Sequence, residues 1–183
     1  MKILETPLAG VLVIEPAIFR DDRGFFLETF HRDRYAAAGI PNAFVQDNVS
    51  QSKRDTLRGL HYQEPHAQGK LVQVSRGSVL DVVVDIRRGS PTFGKSYAAE
   101  LSEDNRRQMW IPTGFAHGFC VTSDVAEFHY KCTDVYARDA SHTISWNDPD
   151  LGIAWPVSTP LLSPQDSSAP RLRDATLLPE YRG

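Results

Sequence analysis

The stretch Ser78-Val79-Leu80-Asp81-Val82-Val83-Val84-Asp85-Ile86 alternates with a period of two. Its even positions from 80 onward are all aliphatic, whereas its odd positions include two aspartates. Successive side chains of a strand point to opposite faces, so this run predicts a β-strand with one face in a core and carboxylates on the other. The following Arg87-Arg88-Gly89-Ser90-Pro91 ends the strand.

Similar short runs of β-branched and aromatic residues recur between turn signals. They are residues 11–15, 25–30, 43–49, 71–76, 96–101, 118–122 and 126–132. This spacing predicts an all-β sandwich or barrel. Only residues 32–38 favour a helix, which Gly39-Ile40-Pro41 stops.

The chain length of 183 residues suits one domain, residues 1–183, with its own core and no inter-domain linker. Five of its 12 prolines follow position 155. Proline breaks strands, so the segment from about residue 156 is predicted to be an extended or partly helical tail that wraps over the domain.

Composition and charge exclude several classes of function. A hydrophobic fraction of 41% describes an ordinary globular protein, and a net charge of −3 lacks the overall basic charge of a nucleic-acid binder. No stretch resembles a signal peptide or a membrane span, so we expect a cytoplasmic protein without a membrane or nucleic-acid partner. Cys120 and Cys132 lie in apolar runs without a CxxC pair, which predicts two buried reduced thiols.

Six ordered motifs interleave hydrogen-bonding and apolar residues, as expected for the lining of a concave pocket. They are Asp22-Arg23-Gly24-Phe25-Phe26-x-Glu28, Gln46-Asp47-Asn48-x-Ser50, Leu57-Arg58-Gly59-Leu60-His61-Tyr62-Gln63, Gly69-Lys70-Leu71-Val72, Gly114-Phe115-Ala116-His117-Gly118-Phe119 and Tyr130-Lys131-Cys132-Thr133. Through these motifs the chain resembles the dTDP-4-dehydrorhamnose 3,5-epimerases of nucleotide-sugar metabolism. The resemblance implies a jelly-roll cupin barrel with a few short peripheral helices, a homodimer, a dTDP-4-keto-6-deoxy sugar as substrate, and neither a cofactor nor a metal.

The implied reaction inverts carbons 3 and 5 of dTDP-4-dehydro-6-deoxy-D-glucose and gives dTDP-4-dehydro-L-rhamnose. It needs a base, an electrophile for the enolate oxygen, and an acid on the opposite face. Histidine suits the base because its unperturbed pKa is about 6.5. The resemblance assigns this role to His61 with Asp166 as its carboxylate partner, the stabilising cation to Lys70, and the opposing acid to Tyr130.

A nucleotide diphosphate brings negative charges that an acidic protein must meet with individual guanidinium groups. The resemblance implies nine substrate-binding residues: Arg23, Glu28, Gln46, Asp47, Asn48, Arg58, Lys70, His117 and Tyr136. Among these, Tyr136 matches an aromatic residue that stacks on thymine. Ser141 and Gln165 depart from the family pattern, which commonly has glutamate and lysine there.

Arg58 and His61 are three residues apart, so a regular strand would point them to opposite faces. A bulge at Gly59 would bring both to one pocket. Alternatively, one of them faces a site shared between two subunits, because the family exchanges N-terminal segments within its dimers.

Three other functions compete with the double epimerase. A metal-dependent cupin usually begins its ligand set with His-x-His, whereas His61-Tyr62-Gln63 supplies one histidine. A sugar-binding jelly roll has no need of a base, a cation and an opposing phenol together. A mono-epimerase acting at carbon 3 or carbon 5 alone would share nearly all these residues, and it is the main alternative.

Overall fold

A computed structural model describes residues 1–41 and 43–182, which form two large antiparallel sheets and a separate hairpin. The six-stranded sheet has the order β1 (Lys2–Glu5), β2 (Leu12–Glu15), β10 (Gln108–Ile111), β7 (Lys70–Arg76), β12 (Val125–Cys132) and β5 (Gln46–Lys53). The five-stranded sheet has the order β13 (Ser141–Thr143), β6 (Leu57–Gln63), β11 (Phe115–Val121), β8 (Ser78–Asp85) and β9 (Ser96–Ser102). The hairpin pairs β3 (Ile18–Asp21) with β4 (Gly24–Leu27).

The helices are short and lie outside the sheets. They are α1 (Arg32–Ala37), α2 (Pro164–Ser167) and two 3₁₀ turns at Arg138–Ala140 and Leu172–Asp174. On α1, Tyr35 is buried against the outer face of the six-stranded sheet with Trp110. Two packed sheets with short peripheral helices confirm the predicted all-β fold of the jelly-roll cupin class.

Both faces of β8 are buried, and this determines where its aspartates point. Val79 and Val83 join the core between the sheets, whereas Val82 and Val84 join a second core. Asp81 is next to Val82 in the strand and therefore points to the opposite face. It shares the inward face with Val83 and is fully buried. The strand prediction was therefore right, and its carboxylate face is the inner face of the barrel.

The second core exists because the C-terminal segment covers the outer face of the five-stranded sheet. Leu172 and Ala175 are buried there, and the Tyr62 hydroxyl donates a hydrogen bond to the carbonyl of Leu177 at 2.8 Å. Leu161 also exchanges backbone hydrogen bonds with Asp55 and Leu57. This burial explains how a proline-rich segment holds a defined course with little regular secondary structure.

The predicted strands were correct within a few residues, but five strands were missed. They are β1, β3, β6, β10 and β13. Four of these have only three or four residues, and the polar residues of β6 hide its period. Cys120 and Cys132 are free and buried as predicted, and no helix of the described residues is long and apolar enough to cross a membrane.

Asp85 anchors the turn after β8 and makes stability dependent on pH. Burial raises the pKa of Asp85, but hydrogen bonds from Arg87, Ser90 and Thr92 outweigh that effect and lower it to about 2. Because the folded-state pKa is depressed, the stabilisation is present above the unfolded value near pH 4 and is lost as pH falls toward 2.

We therefore expect Asp85→Asn to lower the free energy of unfolding by about 2 kcal/mol at pH 7 and by much less near pH 2. Urea denaturation at both pH values measures this difference. The exposed Asp104→Asn is the matched control. An equal loss at both pH values would contradict the role given to the carboxylate charge.

Candidate active site

A pocket of about 320 Å³ adjoins an inner cavity of about 170 Å³. The residues that line both are His61, Lys70 and Tyr130. His61 lies on β6 of the five-stranded sheet, whereas Lys70 and Tyr130 lie on β7 and β12 of the six-stranded sheet. Three of the four predicted catalytic residues therefore meet where the two cavities join, with His61 and Tyr130 on opposing sheets.

His61 is paired with Asp166, the fourth predicted catalytic residue. His61 Nε2 lies 2.6 Å from Asp166 Oδ1, and Ser163 Oγ donates to Oδ2 at 2.8 Å. Burial raises the pKa of Asp166, but hydrogen bonds from His61, Ser163 and the Gly59 backbone lower it below the usual value. An ionised carboxylate only accepts hydrogen bonds, so Nε2 carries the proton and Nδ1 is left as the basic nitrogen.

A shift in strand register places Arg58 and His61 at one cavity. Across β11, His61 pairs with His117 while Arg58 pairs with Phe119, so two residues of β6 oppose one residue of β11. Gly59 lies in this bulge with φ of +128°, and a β-carbon there would approach the Cα of Gly118 to 2.5 Å. Of the two arrangements considered from the sequence, the bulge is the one present.

Lys70 and Tyr130 face the cavity in a setting that favours acid catalysis and charge stabilisation. Burial lowers the pKa of Lys70, while Cys132 and Asp81 act in the opposite direction. Burial raises the pKa of Tyr130, which the charge of Arg58 partly offsets. The phenol therefore keeps its proton at neutral pH. Burial opposes the charged form of Lys70, and any charge that it carries is weakly screened in a site of low dielectric.

His117 lines the inner cavity and forms a second histidine–carboxylate pair. Its Nε2 lies 2.9 Å from Asp81 Oδ2, and its ring stacks on Phe128 at 5.9 Å between centroids. Asp81 had no role predicted from the sequence. The sequence feature that could have indicated Asp81 is a carboxylate at an inward position of an otherwise aliphatic strand.

Side-chain amides hold the loop that carries Tyr136 at the pocket mouth. Gln46 Oε1 accepts a hydrogen bond from the Tyr136 backbone N–H at 2.7 Å. Gln63 accepts from the Ala137 N–H at 2.8 Å and donates to the Val135 carbonyl at 3.3 Å. Sequence reasoning missed this role of Gln63, although it had placed the residue in the His61 motif.

The pocket contains some of the predicted substrate-binding residues and lacks others. Gln46, Asn48, Lys70 and Tyr136 line the outer pocket, and Arg58, Lys70 and His117 line the inner cavity. The two departures from the family pattern, Ser141 and Gln165, also line the outer pocket.

Three predicted substrate-binding residues do not reach this pocket. Asp47 alternates with its neighbours on β5 and instead pairs with Lys131 at 2.7 Å. Arg23 lies at the tip of the β3–β4 hairpin with its side chain 90% exposed and pairs with Asp21. Glu28 follows the hairpin and pairs with Arg34 at 2.8 Å. Within one chain, these three side chains lie away from the pocket, and their part in substrate binding stays a prediction.

Among residues 1–41 and 43–182, no group of three or more histidine, cysteine, aspartate or glutamate side chains is arranged to hold a metal ion.

Comparison with known proteins places this arrangement in a family context. The family model described as dTDP-4-dehydrorhamnose 3,5-epimerase matches residues 5–174. A dTDP-4-dehydrorhamnose 3,5-epimerase of Pseudomonas aeruginosa is 51% identical over 98% of this chain and 100% of the relative. A dTDP-4-dehydrorhamnose 3-epimerase of Streptomyces niveus is 42% identical over 99% of this chain and 90% of the relative.

A solved structure is similar over the whole chain. The crystal structure of a dTDP-6-deoxy-D-glucose-3,5-epimerase from Legionella pneumophila, in complex with dTDP-4-keto-L-rhamnose, has a TM-score of 0.97 and 49% sequence identity. The match covers 100% of this chain and 99% of that chain.

Proposed function

This chain belongs to the dTDP-4-dehydrorhamnose 3,5-epimerase family, and from that premise we propose how its pocket performs the reaction. It is an isomerase that converts dTDP-4-dehydro-6-deoxy-D-glucose into dTDP-4-dehydro-L-rhamnose by inverting carbons 3 and 5. The observation that carries the residue assignment is the placement of His61 and Tyr130 on opposing sheets of one cavity. A base and an acid on opposite faces of a sugar ring are what inversion requires.

Each inversion begins with loss of the proton next to the 4-keto group. His61 Nδ1 takes this proton, and the electron pair of the C–H bond moves into an enolate. Asp166 at 2.6 Å stabilises the imidazolium that forms and holds the ring in one orientation.

The enolate is then protonated from the face opposite His61. Lys70 stabilises the negative oxygen, and Tyr130 gives its phenolic proton to the carbon from the side opposite His61. Water then returns a proton to Tyr130 and removes one from His61, so the enzyme ends each cycle unchanged. The 4-keto group itself makes both neighbouring protons acidic.

Lys70→Met is expected to lower kcat by about 10²–10³-fold, because it removes a charge needed when the enolate develops. KM should change less than kcat. Steady-state turnover with a coupled reductase measures both, and exposed Lys95→Met is the matched control. A rise in KM with unchanged kcat would contradict the role given to the ammonium.

The exposed hairpin supports a homodimer. Arg23 is solvent-exposed, and Phe19 and Phe26 on the hairpin are 64% and 68% exposed. A second copy would bury this apolar surface and bring Arg23 and Glu28 to a neighbouring pocket, where guanidinium could meet the diphosphate. Sedimentation of the protein with and without Phe26→Ser tests the dimer.

The cysteines, the net charge and the C-terminal tail support proposals about cellular location, partners and domain structure. The free thiols of Cys120 and Cys132 suit the cytoplasm, where thiols stay reduced. A net charge of −3 argues against a nucleic-acid or anionic-membrane partner. The tail from Pro156 supports a single domain because its residues complete the second core.

Incubation of the substrate in deuterium oxide tests the function. Trapping the product with a reductase and analysing it by mass and proton NMR should show deuterium at carbons 3 and 5 with both centres inverted. Inversion at one carbon alone would select the mono-epimerase. No enzyme-dependent exchange would contradict epimerisation of this sugar.

A further inference from the structure

The short helix α2 carries Asp166 but cannot hold its own position. It has four residues, and an isolated helix of that length is unstable in water. The nearest backbone anchors are Leu161, which bonds to Asp55 and Leu57, and Pro170, whose carbonyl accepts from Ser145. Between these anchors, side chains join α2 to the sheet.

Gln165 makes such a contact next to the catalytic pair. Its Nε2 donates to Thr143 Oγ1 at 2.7 Å. Thr143 is buried on β13 and lies directly opposite His61 in the β13–β6 pairing. The hydrogen bond therefore ties the residue preceding Asp166 to the strand beside His61.

We propose that Gln165 and Thr143 are positioning residues, which keep Asp166 within hydrogen-bonding distance of His61. The kinetic consequence of this positioning rests on the proposed function. A displacement of about 1 Å in a catalytic group can cost up to about 10²-fold in rate. Loss of this single contact leaves Ser163 in place at the N-terminus of α2, where its Oγ accepts from the Asp166 backbone N–H at 3.1 Å, so a smaller effect is expected.

The kinetic test uses matched variants of Thr143 and Gln165. Thr143→Val keeps the shape and removes the acceptor, and Gln165→Met removes the donor. Each should lower kcat about tenfold with little change in KM. Thr143→Ser, which keeps the hydroxyl acceptor, should retain most of the wild-type rate. The double variant should be no slower than either single variant, because both remove the same bond.

A second background separates positioning from substrate binding, since Gln165 also lines the pocket. In Asp166→Asn protein, Thr143→Val should cost less than about twofold, because the contact acts through Asp166. If Thr143→Val instead lowered kcat by the same factor in the Asp166→Asn protein as in the unaltered protein, the proposal would be overturned. An increase in KM for Gln165→Met alone would do the same.

A measurement without substrate distinguishes this proposal from the proposed function. The proton between His61 Nε2 and Asp166 should give a low-field NMR resonance, assigned by its loss in His61→Asn protein. Thr143→Val should broaden it by faster exchange with water, whereas Thr143→Ser should preserve it. Unchanged resonance in Thr143→Val would overturn the positioning role even in an active epimerase. Broadening in a protein that lacks epimerase activity would instead support the positioning role and refute the proposed function.

Discussion

His61→Ala is expected to abolish both solvent proton exchange and product formation, with turnover reduced about 10²–10⁴-fold. No other described pocket residue combines a nitrogen base with a buried carboxylate partner at 2.6 Å and a place at the junction of the two cavities. Binding of dTDP should survive, because the residues proposed to contact the nucleotide do not include His61. Deuterium incorporation and calorimetric binding measure the two effects separately.

Two further variants control this result. His61→Asn keeps a donor for Asp166 and should be equally inactive, which excludes a folding defect caused by an unpaired buried carboxylate. Exposed His66→Ala should keep wild-type turnover. Exchange at the wild-type rate in His61→Ala would assign the base to another residue.

Tyr130→Phe is expected to uncouple proton removal from inversion. His61 remains able to remove a proton and to return a deuteron to the same face, so recovered substrate should gain deuterium without change of configuration. Product formation should fall about 10²–10⁴-fold because the acid on the opposing sheet is missing. Time-resolved NMR in deuterium oxide follows both processes in one sample.

Tyr97 provides the matched control for this variant. It packs against the core between the sheets and does not line either cavity of the site, so Tyr97→Phe should behave as wild type. If Tyr130→Phe lost deuterium exchange and product formation in equal measure, the phenol would act in proton removal and its assignment would be wrong.

Much of the candidate site could be predicted because its catalytic residues lie in short sequence motifs. His61, Lys70 and Tyr130 were each identified within a short ordered motif, and all three meet in the structure. Asp47 belongs to the same motif as Gln46 and Asn48 but pairs with Lys131 instead of lining the pocket, because a motif does not state which face of a strand each residue occupies. The support that Gln63 gives to the Tyr136 loop was missed because it joins residues about 70 positions apart.

The sequence by itself determined the all-β class, because the period of two in residues 78–86 is a local property of the chain. It also determined which types of catalytic group are present. Only the tertiary structure decided that both faces of β8 are covered, which depends on a tail that packs from far along the chain. It alone also decided that a bulge at Gly59 turns Arg58 and His61 toward one cavity. The contact of Asp166 with His61 across 105 residues was implied by the resemblance, and only the tertiary structure gives its geometry. These contacts depend on strand register and on packing between distant segments, which no local periodicity encodes.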